Sequence, residues 1–309
     1  MTSLLSQIGI VVITHNSAIE IGECLSAAAG TGAPVMVVDN GSADGTLDQI
    51  GDYPVTIVRN DVNLGFAGAV NQAVRKLDKD LILLLNPDCI LQSPVDSLAE
   101  ACWRPGVGVA GGKLIGPDGI AQRGFVVRRF PTPLSLAFEA LLVNRVWPSN
   151  PVNRRFRCLD LNLDQAQEVD QPAGAFLMFR REAWCAVGGF DESFYPVWFE
   201  DVDFCKRVYN AGWSVYYEPR AVARHAGGHS VNRMRVEDRQ ISWYGSLLRY
   251  AGKHFRPGAG RAVCFAILVG AAVRALPAIF LERSLRPLKG CIGVMQLAGR
   301  RLCSASWRP

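Results

Sequence analysis

The chain has 309 residues, 49% of them apolar and 20% charged, which is enough for one substantial core plus an appendage and excludes a disordered chain. Its nine cysteines are odd in number and include no C-x-x-C pair, excluding a zinc ribbon or a disulfide framework and fitting a reducing cytoplasm. The net charge of +5 hides an asymmetry, because from Tyr244 onward eleven Lys and Arg face the single acid Glu282, and such a block seeks anions.

Met1 to Gln7 carries no basic region followed by a long apolar segment, so no secretory signal is expected. Ile8 to Thr14 is a continuous β-branched run and reads as a strand. Ile19 to Ala29 follows with apolar residues at helical spacing, then Val35 to Asp39 and Val55 to Asn60 as strands. Ala67 to Leu77 reads as a helix, Leu81 to Leu85 as a strand, and Pro94 to Trp103 as a helix capped by Ser93 with Pro94 at its first position. This βαβαβ rhythm predicts an α/β fold with a mostly parallel central sheet flanked by helices.

After Val107 to Ile115 the rhythm weakens. Arg123 to Leu163 contains Pro131, Pro133, Pro148 and Pro151 and reads as a mobile or substrate-shaped insertion with a short helix near Leu134 to Val143. Ala175 to Phe179 is then a strand, Arg181 to Val187 a short helix, Asp201 to Ala211 a helix with acids in its first turn, and Val215 to Tyr217 a closing strand. Ala262 to Val273 is uncharged, but Arg274 and Pro277 break it, which favours an interfacial helix or pair of helices over a membrane span.

Two acidic sites stand about a hundred residues apart. Asn86-Pro87-Asp88 follows the Leu81–Leu85 run, and Glu200-Asp201-Val202-Asp203 follows Tyr195-Pro196-Val197-Trp198-Phe199. A carboxylate just past a buried strand lies on the sheet rim where ligands collect, and the second cluster would add a base. The pair predicts a metal-assisted transfer from a phosphorylated donor.

Asp39, at the tip of the second strand, begins Asp39-Asn40-Gly41-Ser42-Ala43-Asp44-Gly45-Thr46. It could accept from a base or ribose while the Asn40-Gly41 turn faces phosphate; a plain βα turn with Asp44 capping the next helix accounts for the turn equally well. No G-x-G-x-x-G follows the first strand, where Thr14-His15-Asn16 stands, and no P-loop occurs anywhere, so Rossmann dehydrogenase and P-loop readings fall. In Asn63-Leu64-Gly65-Phe66-Ala67-Gly68-Ala69-Val70-Asn71 the glycines permit close approach of a sugar or phosphate, with Asn71 beneath it; a helix packed tightly on the sheet is the alternative.

These segments, with Pro172 to Val208 and then His225, Gly227-Gly228 and Ser230, resemble the inverting family 2 glycosyltransferases, and within them the rhamnosyltransferase-like branch. The similarity covers about residues 8 to 232. It implies the GT-A nucleotide-diphospho-sugar transferase fold over 1–232, with a nucleotide-sugar half to about 115 and an acceptor half after it, and a basic, amphipathic helical region over 233–309.

On that resemblance Thr14, Asn16, Asp39, Asn40, Asn63, Gly65, Asn71, Asn86 and Asp88 serve the nucleotide sugar, with Asp39 on the base. Gly174, Trp198 and Glu200 serve the acceptor, and Asp201 is the general base with Glu200 beside it. Asp88 and His225 hold Mg2+ or Mn2+. The first position of the family's D-x-D is Asn86 here, leaving Asp88 as its one charge. His225 and His229 stand four apart, but no third and fourth ligand accompany them, which disfavours catalytic zinc.

The implied reaction moves rhamnose or another hexose from a dTDP-, UDP- or GDP-linked donor to a saccharide or lipid-linked saccharide during cell-surface glycan synthesis. The enzyme would be cytoplasmic and peripheral on the inner face of the cell membrane, its basic tail against anionic lipid. No nucleic-acid partner is expected, since the tail lacks aromatic interleaving and any reading motif. A silent nucleotide-sugar-binding subunit and a sugar nucleotidyltransferase are the alternatives; the latter usually needs a glycine-rich basic loop where Thr14-His15-Asn16 stands.

Overall fold

The computed structural model describes residues 4–51, 53–227, 233–281, 286–304 and 307. Gly228, His229 and Ser230 of the expected motif lie outside the described residues. The chain forms two compact units, one of Met1–Arg129, Leu161–Pro196 and Glu200–Ser230, the other of Phe130–Asp160, Val197–Phe199 and Val231–Pro309. Residues 130–160 thus group with the C-terminal helices.

The first unit is built on strands β1 (Ile8–Thr14), β2 (Val35–Asp39), β3 (Val55–Arg59), β4 (Leu81–Leu85), β5 (Cys89–Leu91), β6 (Val107–Ile115), β7 (Val127–Arg128), β8 (Gln167–Glu168), β9 (Gln171–Pro172), β10 (Phe176–Arg180) and β11 (Ser214–His225). The main sheet has the order β3-β2-β1-β4-β10-β6-β11-β5, with β8 added on β11, and β7 pairs with β9 separately. β1, β2 and β4 are buried along their whole length, as continuous apolar runs in a sheet covered on both faces must be.

β3, β2, β1 and β4 are parallel, as the rhythm predicts. The remainder is mixed, because β10 runs antiparallel to both β4 and β6. Most other boundaries fall within one or two residues of the sequence reading, and two depart from it in a way that bears on the scaffold. The helix expected over Pro94 to Trp103 starts at Asp96 with Val95 as its cap; Ser93 instead accepts the Val222 N–H at 2.7 Å and fastens β11. The closing strand, expected over Val215 to Tyr217, is twelve residues long, since it continues past Glu218-Pro219-Arg220 through a register shift between Glu218 and Val222, with Glu218 neutralised by Arg220 at 2.9 Å.

In the second unit, helix Pro133–Ala140 opens on a capping box, in which the Ser135 N–H donates to Thr132 Oγ1 at 3.1 Å and the Thr132 N–H to Ser135 Oγ at 2.8 Å. Short helices Val143–Val146 and Pro151–Phe156 follow, and then three long ones among the described residues, Val236–His254, Pro257–Leu281 and Arg286–Leu302. Pro277 does not end the apolar helix as expected. Burial of Val263, Ile267 and Ala271 along its packed face outweighs the one backbone hydrogen bond a proline removes.

Candidate active site

Parallel pairing carries the C-terminal tips of β1, β2 and β4 to one sheet edge, where Thr14, Asp39 and the Asn86-Pro87-Asp88 turn stand. β10 begins at the same edge, Phe176 opposite Leu85, and β11 ends there, His225 opposite Cys89. Residues far apart in sequence are thereby gathered on the rim where α/β sheets bind ligands.

Thr14 and Asp39 are register partners and are buried to 1% and 2% exposure. Asp39 Oδ2 accepts the Ser42 N–H at 3.3 Å, while Asp39 Oδ1 and Thr14 Oγ1 are buried with no hydrogen-bond partner among the described residues. An unsatisfied buried pair of this kind is costly, about 1–3 kcal/mol per group, and suits a ligand that supplies the missing partners.

The asparagines expected to touch the donor brace the loops instead. Asn40 donates to Asn63 Oδ1 (2.9 Å) and the Gly65 carbonyl (3.2 Å) and accepts from Asn60 and the Leu64 N–H (3.2 and 2.9 Å), which uses all four hydrogen bonds an amide can make. Asn63 Oδ1 also takes the Gly65 N–H at 2.8 Å. Asn16, at φ 55°, accepts the Ala43 N–H at 2.8 Å and donates its own backbone N–H to Ser42 Oγ at 2.9 Å, tying the β1 and β2 tips together. The next helix, Thr46–Ile50, has Gly45 and not Asp44 at its N-cap; Asp44 Oδ1 instead accepts the Thr46 N–H at 3.0 Å from one residue outside it.

Asn71 is likewise fully used, donating to the Phe190 carbonyl and Glu192 Oε1 (both 2.8 Å) and accepting from Trp184 Nε1 (3.1 Å) and the Phe190 N–H (2.9 Å). It clasps helix Gly65–Lys76 to the loop after helix Arg181–Ala186 and offers a ligand nothing. Gly65, at φ 77°, is close to chain and not to open space: an added Cβ would lie 2.9 Å from the Tyr195 ring and 3.2 Å from the Pro196 carbonyl.

Asp88 and His225 meet as expected. Asp88 Oδ2 accepts the Gly227 N–H at 3.0 Å and faces His225 Nε2 at 3.5 Å. Gln122, which the sequence reading missed, settles the imidazole: its Nε2 donates to the His225 carbonyl (2.8 Å), turning its Oε1 to ring Nδ1 (2.9 Å), so Nδ1 carries the proton. Phe125 stacks on the ring at 5.2 Å. The Nε2 lone pair then points at a carboxylate, and two facing acceptors suit a cation between them.

An oxygen and an imidazole nitrogen in this arrangement fit Mg2+ or Mn2+, with Mn2+ tolerating the nitrogen better. Cys89 offers a sulfur within 4.8 Å of both, but burial, foremost, and Asp88 push its thiol well above the ordinary range, and it donates to the Ala175 carbonyl at 3.4 Å. It stays a thiol. Asn86 is half-buried at the turn, its backbone N–H on the Ala175 carbonyl at 3.0 Å.

Asp201 opens helix Glu200–Asn210. Its Oδ2 accepts from Gln171 Nε2 (3.1 Å) and the Gly174 N–H (3.0 Å), its Oδ1 from the Val202 N–H (2.8 Å). Burial raises its pKa against these hydrogen bonds and the pull of Arg128, giving a carboxylate more basic than a surface one. Gly174 acts through Asp201: a Cβ there would lie 3.0 Å from the Asp201 side chain. Gln171, unforeseen from sequence, is its other anchor. Glu200 is buried at 5% exposure. Trp198 belongs to the second unit, at φ 83°, where its neighbour Phe199 packs 5.5 Å from Tyr250.

The sequence profile of glycosyl transferase family 2 matches residues 9–183, a stretch that includes Thr14, Asp39, Asp88 and Gly174 and ends before Asp201 and His225. The chain is 30% identical over 256 residues to N-acetylglucosaminyl-diphospho-decaprenol L-rhamnosyltransferase of Mycobacterium tuberculosis, covering 73% of this chain and 81% of that protein. It is 26% identical over 163 residues to rhamnosyltransferase WbbL of Escherichia coli K12, covering 52% and 57%. Among solved structures, the mannosyltransferase PcManGT from Pyrobaculum calidifontis in complex with GDP-Man and Mn2+ shares the fold at a TM-score of 0.54 and 18% identity, covering 96% of this chain and 86% of that one. With the profile spanning more than half of the sequence, the chain belongs to glycosyl transferase family 2 and has the GT-A fold.

Proposed function

We propose that this chain is an inverting glycosyltransferase that moves a sugar, rhamnose or another hexose, from a nucleotide-diphospho-sugar to a saccharide acceptor carried on a lipid, in cell-surface glycan synthesis. The observation that carries this reading is the convergence on one sheet edge of an unsatisfied buried pair, Thr14 and Asp39, with the Asp88–His225 pair.

Asp39 Oδ1 would accept a base or ribose N–H or O–H, with Thr14 Oγ1 beside it. Asp88 and His225 would hold Mg2+ or Mn2+, which supplies Lewis-acid stabilisation of the charge that builds on the departing diphosphate. Asp201, fixed through Oδ2 by Gln171 and Gly174, keeps a lone pair on Oδ1, where a single hydrogen bond is made, and takes the proton from the acceptor hydroxyl as it attacks the anomeric carbon from the opposite face. A positioned base of this kind contributes roughly 10²–10⁴-fold. Displacement in one step inverts the anomeric centre and needs no covalent sugar intermediate. The basic C-terminal region would keep the enzyme on the cytoplasmic side of an anionic membrane.

The test is nucleoside diphosphate release and donor binding over a panel of UDP-, dTDP- and GDP-sugars with Mn2+ or Mg2+, comparing the chain with Asp201→Asn. One donor binding to both proteins, with turnover confined to the unaltered chain, is the expected result. Release of pyrophosphate would identify a nucleotidyltransferase, and binding of no donor with either ion would overturn the reading.

A further inference from the structure

The two units differ sharply in charge. The first carries fifteen Lys and Arg against twenty-three Asp and Glu, the second eighteen against five. The second unit also exposes large apolar side chains, among them Leu134, Val236 and Ile292 singly and two groups of neighbours. One group is Val146 (87% exposed) and Trp147 (54%), which end the turn and short helix (Val143–Val146) after helix Pro133–Ala140, and the other is Phe265 (63%), Val269 (37%) and Val273 (48%) on helix Pro257–Leu281.

Phe265, Val269 and Val273 recur every four residues and so share one helix face. Val263, Cys264, Ile267 and Ala271 on the same helix are buried, held inside the unit: Arg274 donates to the Ala140 carbonyl at 3.3 Å. The Ala140 carbonyl and the Leu141 N–H meet this helix at Gly270, which sets the start of the turn beside the exposed stripe. The stretch Pro257–Ala275 is long and apolar enough to cross a membrane by composition, but a helix with one face packed on protein and the other apolar and open lies along an interface.

We propose that this patch, the Val146-Trp147 turn together with the Phe265, Val269 and Val273 face, is where the second unit docks on an anionic lipid surface. The apolar side chains enter the headgroup boundary while the exposed guanidiniums of Arg145, Arg155, Arg256 and Arg261 meet lipid phosphates. Charge selects the occupant: a unit with more than three cations per acid repels a second copy of itself and attracts an anionic bilayer. The inference deepens the membrane association proposed above by assigning a docking element within residues 130–160, outside the C-terminal helices.

The experiment is sedimentation of the full chain with vesicles of phosphatidylcholine, with and without a third of phosphatidylglycerol, beside Val146→Ser/Trp147→Ser, Phe265→Ser/Val269→Ser and Arg145→Gln/Arg155→Gln. Nucleoside diphosphate release from the donor without lipid acceptor is followed in parallel. The chain should sediment with the anionic vesicles alone. Each apolar pair should cut binding at least tenfold, and the arginine pair roughly fivefold per charge removed, with thermal melting and donor turnover kept. Binding unchanged in both apolar variants, or equal binding to neutral vesicles, overturns the proposal. So does protection of the 257–275 helix from protease on both sides of the bilayer, the mark of a span. Donor turnover reads the first unit alone, so its loss would count against the transferase and not against docking.

Discussion

Asp201 meets two opposed forces, burial favouring its protonated form and three hydrogen bonds favouring the carboxylate. Burial wins, so the proton leaves at a pH above the ordinary Asp value of about 3.9. Because a general base works only when deprotonated, transfer should fall as the pH drops through this raised value. A pH profile of kcat/KM for the unaltered chain is expected to show an acid limb above the ordinary carboxylate range. Gly174→Ala tests the placement separately: a methyl 3.0 Å from the Asp201 carboxylate must displace it, and kcat should fall at least about tenfold with donor KM unchanged. Gln122 is a positioning residue. Its replacement by leucine leaves the His225 tautomer unfixed, so Mn2+ affinity, read by titration of the unliganded protein, should weaken about 10–100-fold.

Among the elements, helix Gly65–Lys76 depends on one amide. Asn71→Ala leaves the Trp184 indole N–H and both backbone groups of Phe190 without the partner they share, at a cost of about 3 kcal/mol. Urea denaturation should show that loss of stability. Legibility followed the same division between local pattern and distant partner. β1 and β4 were readable to the residue because a continuous apolar run bounded by polar tips admits one placement. β11 was not, since its burial of Glu218 depends on Arg220 and on a register shift that no periodicity encodes. In the site, Asp88, His225 and Asp201 stood out through family-like motifs. The Asn40 and Asn71 amides hold loops, which the sequence did not show, because an asparagine at a strand tip or under a helix reads alike whether it holds a ligand or a loop. Gln122 and Gln171 gave no signal: each acts on a residue 103 or 30 positions away, and only the fold brings them together.

For the whole molecule, the grouping of residues 130–160 with the C-terminal helices bears on how far the catalytic part stands alone. The family resemblance ends near residue 232, yet Leu136 and Ala140, at 2% and 0% exposure, lie on a helix that packs against Pro257–Leu281. A fragment ending at 232 keeps the whole main sheet and every residue assigned to the donor, but strips the cover from this helix and leaves an apolar face on a chain segment tethered at both ends to the sheet. Exposed patches of this kind drive association. The fragment 1–232 should therefore aggregate where the full chain is monodisperse in light scattering. Replacing Leu136 in the fragment by a polar residue should restore part of its solubility, whereas the same change in the full chain should lower Tm, because there the side chain is buried. A monodisperse 1–232 fragment with the melting temperature of the full chain would show that the sheet does not need the C-terminal helices, and that residues 130–160 find their cover within the first 232.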